Sequence, residues 1–413
     1  MSEIVKFANK EKIPIIPYGE GSGVVGAALS INGGIVIDMK HFQNIEINAN
    51  NMTASIGSGI NGANLERYLN EQGFTMGHIP QSVRTSSLGG YVAHRAAGQF
   101  STKYGKMEDI LLGVEFVLPT GEIVQTKTYP KASVGPMVDK LLLGNEGTLG
   151  IVTSATCRIW PKPEKQGFLS FAFDKLKDAL DAIRTTLQSQ IFPAVIRIYD
   201  NIETERHFPT EKKAKNRMMV IFVCEGTSRL VDLETKITAE NCVKYNGVDC
   251  GEGPVHHWFE TRFNVKESSE FAPYGLVFDT IEMSCMWDVA DQFYTTVIES
   301  MKAVPGVMLS SAHASHFYTS GVCFYFTFGG SPREGQDPFD FYNAVWDAAM
   351  KGLLSLKGSI SHHHGIRLNR SRWMQAEHGE EFKVMQKIKA LLDPNNIMNP
   401  GKLYDSKIQK SAK

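Results

Sequence analysis

The 413-residue chain has no close cysteine pair, no excess of either charge and no apolar run of membrane-spanning length. Its six cysteines (Cys157, Cys224, Cys242, Cys250, Cys285, Cys323) are scattered, with none in CxxC spacing. That argues against structural zinc, iron–sulfur ligation and a secreted disulfide scaffold. Lys and Arg number 43 against 44 Asp and Glu, for a net charge of −1. A binder of nucleic acid or of an anionic membrane carries a basic excess or patch, and this chain has neither. Residues 2–12 read as a charged amphipathic helix and not as a signal peptide. A hydrophobic content of 42% and a charged content of 21% describe a globular protein. A cytoplasmic location is expected, with peripheral membrane association left open. The length exceeds one compact core, so two domains are expected.

Glycine and small hydroxyl residues are plentiful, and they cluster. Residues 77–98 hold Pro80, Ser82, Thr85, Ser86, Ser87, Gly89, Gly90 and Gly98 in a stretch with little to fill a core. Hydroxyls and bare amides donate hydrogen bonds, and glycine lets a ligand approach the backbone. A second cluster, Gly19, Gly21, Ser22, Gly23 and Gly26, follows an apolar strand at 13–17. A strand feeding a glycine-rich turn aims backbone amides at a pyrophosphate. No crossover helix opens after Gly26, however, and the next segment reads as a strand at 34–38, so a nicotinamide-type Rossmann site is disfavoured. A third loop, 140–150, enters a strand at 151–160. A helix over 63–72 ends at Gly73. Strands at 110–118 and 122–128 form a hairpin.

Past Pro161-Lys162-Pro163-Glu164, which read as a boundary, strands and helices alternate. Strands at 168–173, 194–199 and 218–224 accompany helices at 176–188 and 229–241. A second cycle runs through 276–285, 287–303, 307–314, 322–328 and 340–354. Two β-α-β-β-α-β sets imply ferredoxin-like units sharing an antiparallel sheet. Near the end stand His362, His363 and His364, followed by Gly365. Three readings are open: surface histidines, a metal site completed by His313 and His316, or an acid/base pair facing substrate. On a strand only His362 and His364 would share a face. No metal is assigned.

Four motifs stand in order: Gly77-His78-Ile79-Pro80-Gln81-Ser82, 86–98, Tyr104-Gly105-Lys106-Met107-Glu108-Asp109, and 144–153. Together they resemble the FAD-binding domain of the vanillyl-alcohol-oxidase/para-cresol-methylhydroxylase flavoproteins. The resemblance implies an α+β, two-domain FAD-binding PCMH-type fold with a ferredoxin-like antiparallel-sheet cap domain. It implies a FAD-binding domain at 1–162, truncated at its N-terminal side, a cap or substrate domain at 165–365, and a C-terminal return at 366–413. Carried over by position, the cofactor contacts are Gly19, Gly21, Ser22, Gly23, Pro80, Ser82, Ser86, Ser87, Gly90, Gly98 and Ile151. FAD is expected to be non-covalent, since the loop at 19–26 has no histidine. No cationic cluster is evident near that loop, so backbone amides are expected to neutralise the pyrophosphate.

Ser361-His362-His363-His364-Gly365 also resembles the alkyldihydroxyacetonephosphate (alkylglycerone-phosphate) synthase branch, and Arg197 and Arg262 match that branch by context. The chain departs from it at Gln81, at Cys323 (leaving Tyr325 nearby) and at Arg367, where a second glycine is expected. The FAD-linked D-lactate and glycolate dehydrogenases share the scaffold with a single histidine in the corresponding motif. The implied catalytic set is His362, His363, His364, Arg197, Arg262 and Tyr325. The expected function is oxidation of a small 2-hydroxy acid by hydride transfer to flavin N5, with the arginines holding the anion. Redox-neutral acyl-to-alkyl exchange is the alternative, and a flavin-free remnant is a third reading. Expected partners are a small anionic substrate and an electron acceptor the sequence does not identify. No nucleic acid is expected, and a homodimer is left open.

Overall fold

A computed structural model describes residues 1–264 and 268–404. The chain divides into two units: 1–98, 104–162 and 363–413 form the first, and 99–103 with 163–362 form the second. The boundaries expected from sequence assigned residues 99–103 to the first domain, whereas here this short segment belongs to the second. The chain leaves the second unit between His362 and His363.

In the first unit, β1 (Ile15–Tyr18) and β2 (Ile35–Asp38) pair in parallel. An antiparallel sheet of order β3-β4-β8-β6-β7 is built from β3 (Ile45–Asn48), β4 (Thr53–Gly57), β6 (Leu111–Val117), β7 (Ile123–Gln125) and β8 (Ile151–Arg158). The strand β3 was not expected from sequence. The short strands β5 (Phe74–Thr75) and β9 (Trp160–Pro161) pair with each other. Helix Gly62–Glu71 starts where the Asn61 side chain accepts the amides of Ala63 and Asn64. Leu65 and Leu69, one turn apart, bury against Ala54, Ile56, Leu88 and Tyr91. The helix stops at Gly73, whose φ of 83° a side chain would strain.

The C-terminal segment runs beside β1. Ile15 N donates to Ile397 O at 2.7 Å and Asn399 N donates to Ile15 O at 2.8 Å. Ile397 and Met398 join Val5, Ala8, Ile15, Val117 and Ile151 in one apolar cluster. The N-terminal helix, Ser2–Glu11, buries Val5 and Ala8 in it, while Ile4 and Phe7 are exposed.

The second unit is one seven-stranded antiparallel sheet of order β13-β10-β12-β11-β15-β16-β14. Its strands are β10 (Lys165–Phe173), β11 (Val195–Tyr199), β12 (Met218–Gly226), β13 (Val248–Asp249), β14 (Val277–Met286), β15 (Val307–Phe317) and β16 (Gly321–Gly330). In the first four strands the chain order reads 4-1-3-2, the ferredoxin-like order. The second set repeats it with β14, β15 and β16, an isolated Ser284–Ser359 bridge taking the place of a fourth strand. The two sets join through β11 and β15, which places Tyr199 opposite His313. Central β12 is buried from Met219 to Glu225, as expected of a strand covered on both faces. Among the described residues no helix is long and apolar enough to cross a membrane.

Candidate functional site

In the first unit the glycine loop after β1 and the stretch from Gly77 to Gly98 lie against each other. A Cβ built on Gly19 would collide with the Ser87 hydroxyl, and one on Gly90 would lie 3.5 Å from the same oxygen. Three residues expected at the cofactor therefore converge. Gly21 packs on the Tyr18 ring with a φ of 72°. A Cβ on Gly98 would stand 2.6 Å from Ile79 N, so the stretch can fold back on itself only with glycine there.

Other expected contacts are committed elsewhere. The Ser86 hydroxyl donates to Ser82 O at 2.7 Å and meets the Tyr91 hydroxyl at 2.9 Å. Pro80 O accepts Val83 N, which turns the chain into residues 83–85. Ile151 serves the apolar cluster beside β1, and Ser22 is half-buried.

Several buried polar atoms of this unit have no hydrogen-bond partner among the described residues: Ser58 Oγ, both ring nitrogens of His78, and His94 Nε2. Burial holds His78 neutral, its pKa pushed down to about 3. His94 is likewise pushed to about 3, by burial first and then by the charge of Arg367, while its Nδ1 meets Gly90 O at 2.7 Å. Buried polar atoms are normally satisfied. Orphaned atoms beside glycines that admit no side chain fit a polar ligand such as FAD.

The expectation that no cation lies near the glycine loop is overturned. The Arg367 guanidinium occupies the room a Gly23 side chain would need, 2.6 Å from Cζ to the built Cβ. Lys402 Nζ donates to Ala27 O at 2.6 Å, to Leu29 O and to Asn399 Oδ1. Both come from more than 340 residues downstream, so sequence proximity gives no sign of them. The buried Glu146 carboxylate accepts Ile366 N at 2.7 Å and Arg367 N at 3.0 Å, fixing the turn after Gly365. Burial pushes its pKa up and Arg367 opposes the shift. His363 and His364 belong to this unit and contact each other edge to face. They and His362 lie on bends and not on a strand, so the alternation expected of them does not apply.

In the second unit Arg197, Arg262, Tyr325 and His362 form one continuous array. Arg197 and Arg262 share the Trp258 ring at 5.8 and 5.2 Å. Arg197 Nε donates to the Tyr199 hydroxyl at 2.7 Å, and Arg262 Nη1 donates to Gln99 Oε1 at 3.1 Å. His313 stacks between Tyr199 (5.9 Å) and Tyr325 (4.6 Å). Burial first, then Arg197, lowers the His313 pKa to about 3. The Tyr325 hydroxyl meets His316 Nε2 at 2.8 Å, and His316 Nδ1 meets Ser101 Oγ at 2.7 Å. His316 stacks on His362 at 4.9 Å, and His362 Nε2 meets the Tyr318 hydroxyl at 2.9 Å. The Glu282 carboxylate accepts His362 N at 2.6 Å and the Ser361 hydroxyl at 2.9 Å. Burial raises the Tyr325 phenol well above its ordinary range.

Tyr199, Trp258, Ser101 and Glu282 were not expected here, and His316 was expected beside the histidine triplet only as a metal ligand. The sequence reading ended the strand at Ala314, but β15 continues to Phe317. Residues three apart on a regular strand face opposite ways. A register shift between Ala314 and His316 lets both His313 and His316 reach Tyr325. A histidine pair spaced by three beside a β-bulge is a signal that sequence gives only once the bulge is known.

The cradle and the array define a flavin-dependent enzyme. Residues 1–127 match the FAD binding domain family and residues 162–403 match the FAD linked oxidases, C-terminal domain, family; the chain belongs to the FAD-linked oxidases. It is 29% identical to the uncharacterized FAD-linked oxidoreductase YgcU of Escherichia coli (strain K12), over 98% of this chain and 86% of that protein. It is 30% identical to alkyldihydroxyacetonephosphate synthase of Caenorhabditis elegans, over 98% and 74%. Identity to the mitochondrial D-lactate dehydrogenase [cytochrome] of Arabidopsis thaliana is 27%, over 98% and 71%. Among solved structures, an alkyldihydroxyacetonephosphate synthase superposes with a TM-score of 0.79 at 27% identity, covering 97% of this chain and 74% of that one. p-Cresol methylhydroxylase superposes with a TM-score of 0.76 over 98% and 86%, and at 18% identity it speaks to fold alone.

Proposed function

We propose that this enzyme oxidises a small 2-hydroxy acid of the lactate or glycolate kind. The observation that carries the reading is the pair of guanidinium groups sharing Trp258, in one array with Tyr325, His316 and His362. A planar guanidinium suits a carboxylate, and two of them set its orientation. Arg197 is steered by the Tyr199 hydroxyl and Arg262 by Gln99. His362, fixed by Tyr318 and by stacking on His316, accepts the substrate hydroxyl proton. Neutral His313 packs between two tyrosines without adding a charge to the array. FAD, when bound, supplies the two-electron redox chemistry. The Arabidopsis relative, named as a D-lactate dehydrogenase, supports the substrate class.

A second reading has a specific observation behind it. Ser361-His362-His363-His364-Gly365 and the Caenorhabditis relative favour redox-neutral acyl-to-alkyl exchange of the synthase kind. Anaerobic addition of D- and L-2-hydroxy acids to the purified holoenzyme separates the two. Bleaching of the flavin absorbance is the expected result. No bleaching by any hydroxy acid, together with fatty-alcohol exchange on acyl-dihydroxyacetone phosphate, would sink the oxidoreductase reading.

A further inference from the structure

Arg367 is buried, with 3% of its surface exposed. Its guanidinium offers five N–H donors, yet the contact the described residues provide is a loose ion pair, Nε to Glu146 Oε2 at 3.9 Å. The Glu146 oxygens are turned to the backbone amides of Ile366 and Arg367 instead. Nε itself has no hydrogen-bond partner among the described residues. The charges coupled to it are one carboxylate, Glu146, and two further cations, Arg370 and Lys402. A buried cation is retained only where an anion or a full set of acceptors meets it. Among the described residues of the first unit nothing fills that role completely.

The guanidinium lies against the glycine loop, where a Gly23 Cβ would collide with it. Gly21 and Gly26 have φ values of 72° and 90°, which explain their lack of a side chain, but Gly23 is not in the left-handed region. Space, and not backbone conformation, requires glycine at that position. Arg367 itself has a φ of 44°, a conformation costly for a side chain, at a site where glycine would be comfortable. Strain at 367 and the missing side chain at 23 both serve to seat a guanidinium at the loop.

We propose that Arg367 is the anion-binding cation of the Gly19–Gly26 loop, that its ligand is the pyrophosphate of FAD, and that Gly23 is glycine in order to admit it. Lys402 supports the arrangement by tying down the loop exit at Ala27 and Leu29. Charge neutralisation then combines backbone amides with a side chain delivered by the C-terminal segment.

The test is the affinity of apoprotein for FAD, read by flavin fluorescence quenching between 50 and 500 mM KCl, approximate working limits over which screening changes strongly. ADP, which carries the pyrophosphate without the flavin and is read by its displacement of FAD, and riboflavin, which carries the flavin without it, serve as the two control probes. Arg367→Gln is expected to weaken FAD and ADP by roughly 10- to 100-fold, the worth of a charge-assisted contact. It should flatten the salt dependence and leave riboflavin binding unchanged. Arg367→Lys should recover part of the loss, and Gly23→Ser should weaken FAD without adding to Arg367→Gln in the double variant. Equal or tighter FAD binding by Arg367→Gln overturns the proposal. So does an equal loss for riboflavin, which would mean the arginine only holds the fold. Should Arg367→Gln fail to fold, salt-independent binding of FAD and ADP by the unmodified protein would overturn it equally.

Discussion

Glu203 offers a prediction whose size follows from the structure. Its carboxylate is fully buried beneath the joint between β11 and β15. It accepts the Ser311 hydroxyl at 2.6 Å and Arg206 Nη2 at 2.7 Å, and meets His207 Nε2 at 3.2 Å. Burial alone would raise its pKa, but the hydrogen bonds and neighbouring charges outweigh it and hold the carboxyl at about 2. A carboxylate whose folded pKa lies below its unfolded value stabilises the fold above the unfolded pKa. That contribution is lost as pH falls from about 4.5 through about 2. The gap corresponds to about 3 kcal/mol at 1.36 kcal/mol per unit. Burial keeps His313 neutral above about pH 3, so its charge is absent from most of this window and about 2 kcal/mol is the better figure. Glu203→Gln should therefore lower the melting temperature by roughly 4–8 °C at pH 7, for a cooperative unit of this size. The difference between the two proteins should shrink steadily below pH 4.5 and vanish near pH 2. Thermal unfolding followed by tryptophan fluorescence across pH 2–8 reads it, those limits being about two units either side of the ordinary carboxylate and histidine range. A variant that melts with the parent at pH 7, or a difference that does not depend on pH, refutes the reasoning.

Other perturbations test other parts of the molecule. His78 is held neutral with a pKa near 3, so the fold loses stability as pH falls from 6.5 through 3; between pH 7 and pH 4 the stability of His78→Leu relative to the parent should rise by about 3 kcal/mol, measured by urea unfolding. Gly98→Ala places a methyl 2.6 Å from Ile79 N, where only backbone can yield; a loss of about 1–3 kcal/mol and flavin release on gel filtration are expected, and full retention of flavin would show the packing to be softer than described. Arg197→Lys should keep the flavin spectrum while reducing kcat/KM by about tenfold or more, because an ammonium cannot both meet Tyr199 and fork onto a carboxylate; flavin loss instead would make Arg197 a structural residue. His316→Phe keeps the stacking on His362 but removes the hydrogen bonds to Tyr325 and Ser101, so turnover should fall with little change in melting temperature.

Local chemistry was readable in the chain wherever one segment carries its own constraint. Glycine at 73 ends a helix because of its own backbone angle, and the strand-helix alternation after Pro163 gives the two ferredoxin-like sets because periodicity is a local property. The glycine loop and the stretch from Gly77 to Gly98 announced a ligand cradle for the same reason. Their composition suits either ligand contact or a surface connection, and their convergence in the first unit favours the first.

What the sequence could not give depended on contacts between distant residues or on a break in periodicity. Regular alternation separates His313 from His316, and only the shift after Ala314 turns both to Tyr325. The junction of β11 with β15 then adds Tyr199 and Arg197 to the same array. The cation at the glycine loop comes from Arg367, 344 positions beyond Gly23. Charge is a property of space and not of sequence order, so a loop whose only charged residue along the chain is Glu20 acquires an arginine once the C-terminal segment has run back along β1. The order of the four motifs thus carried the resemblance that named the cofactor, and the tertiary structure decided which side chains face one another within each unit.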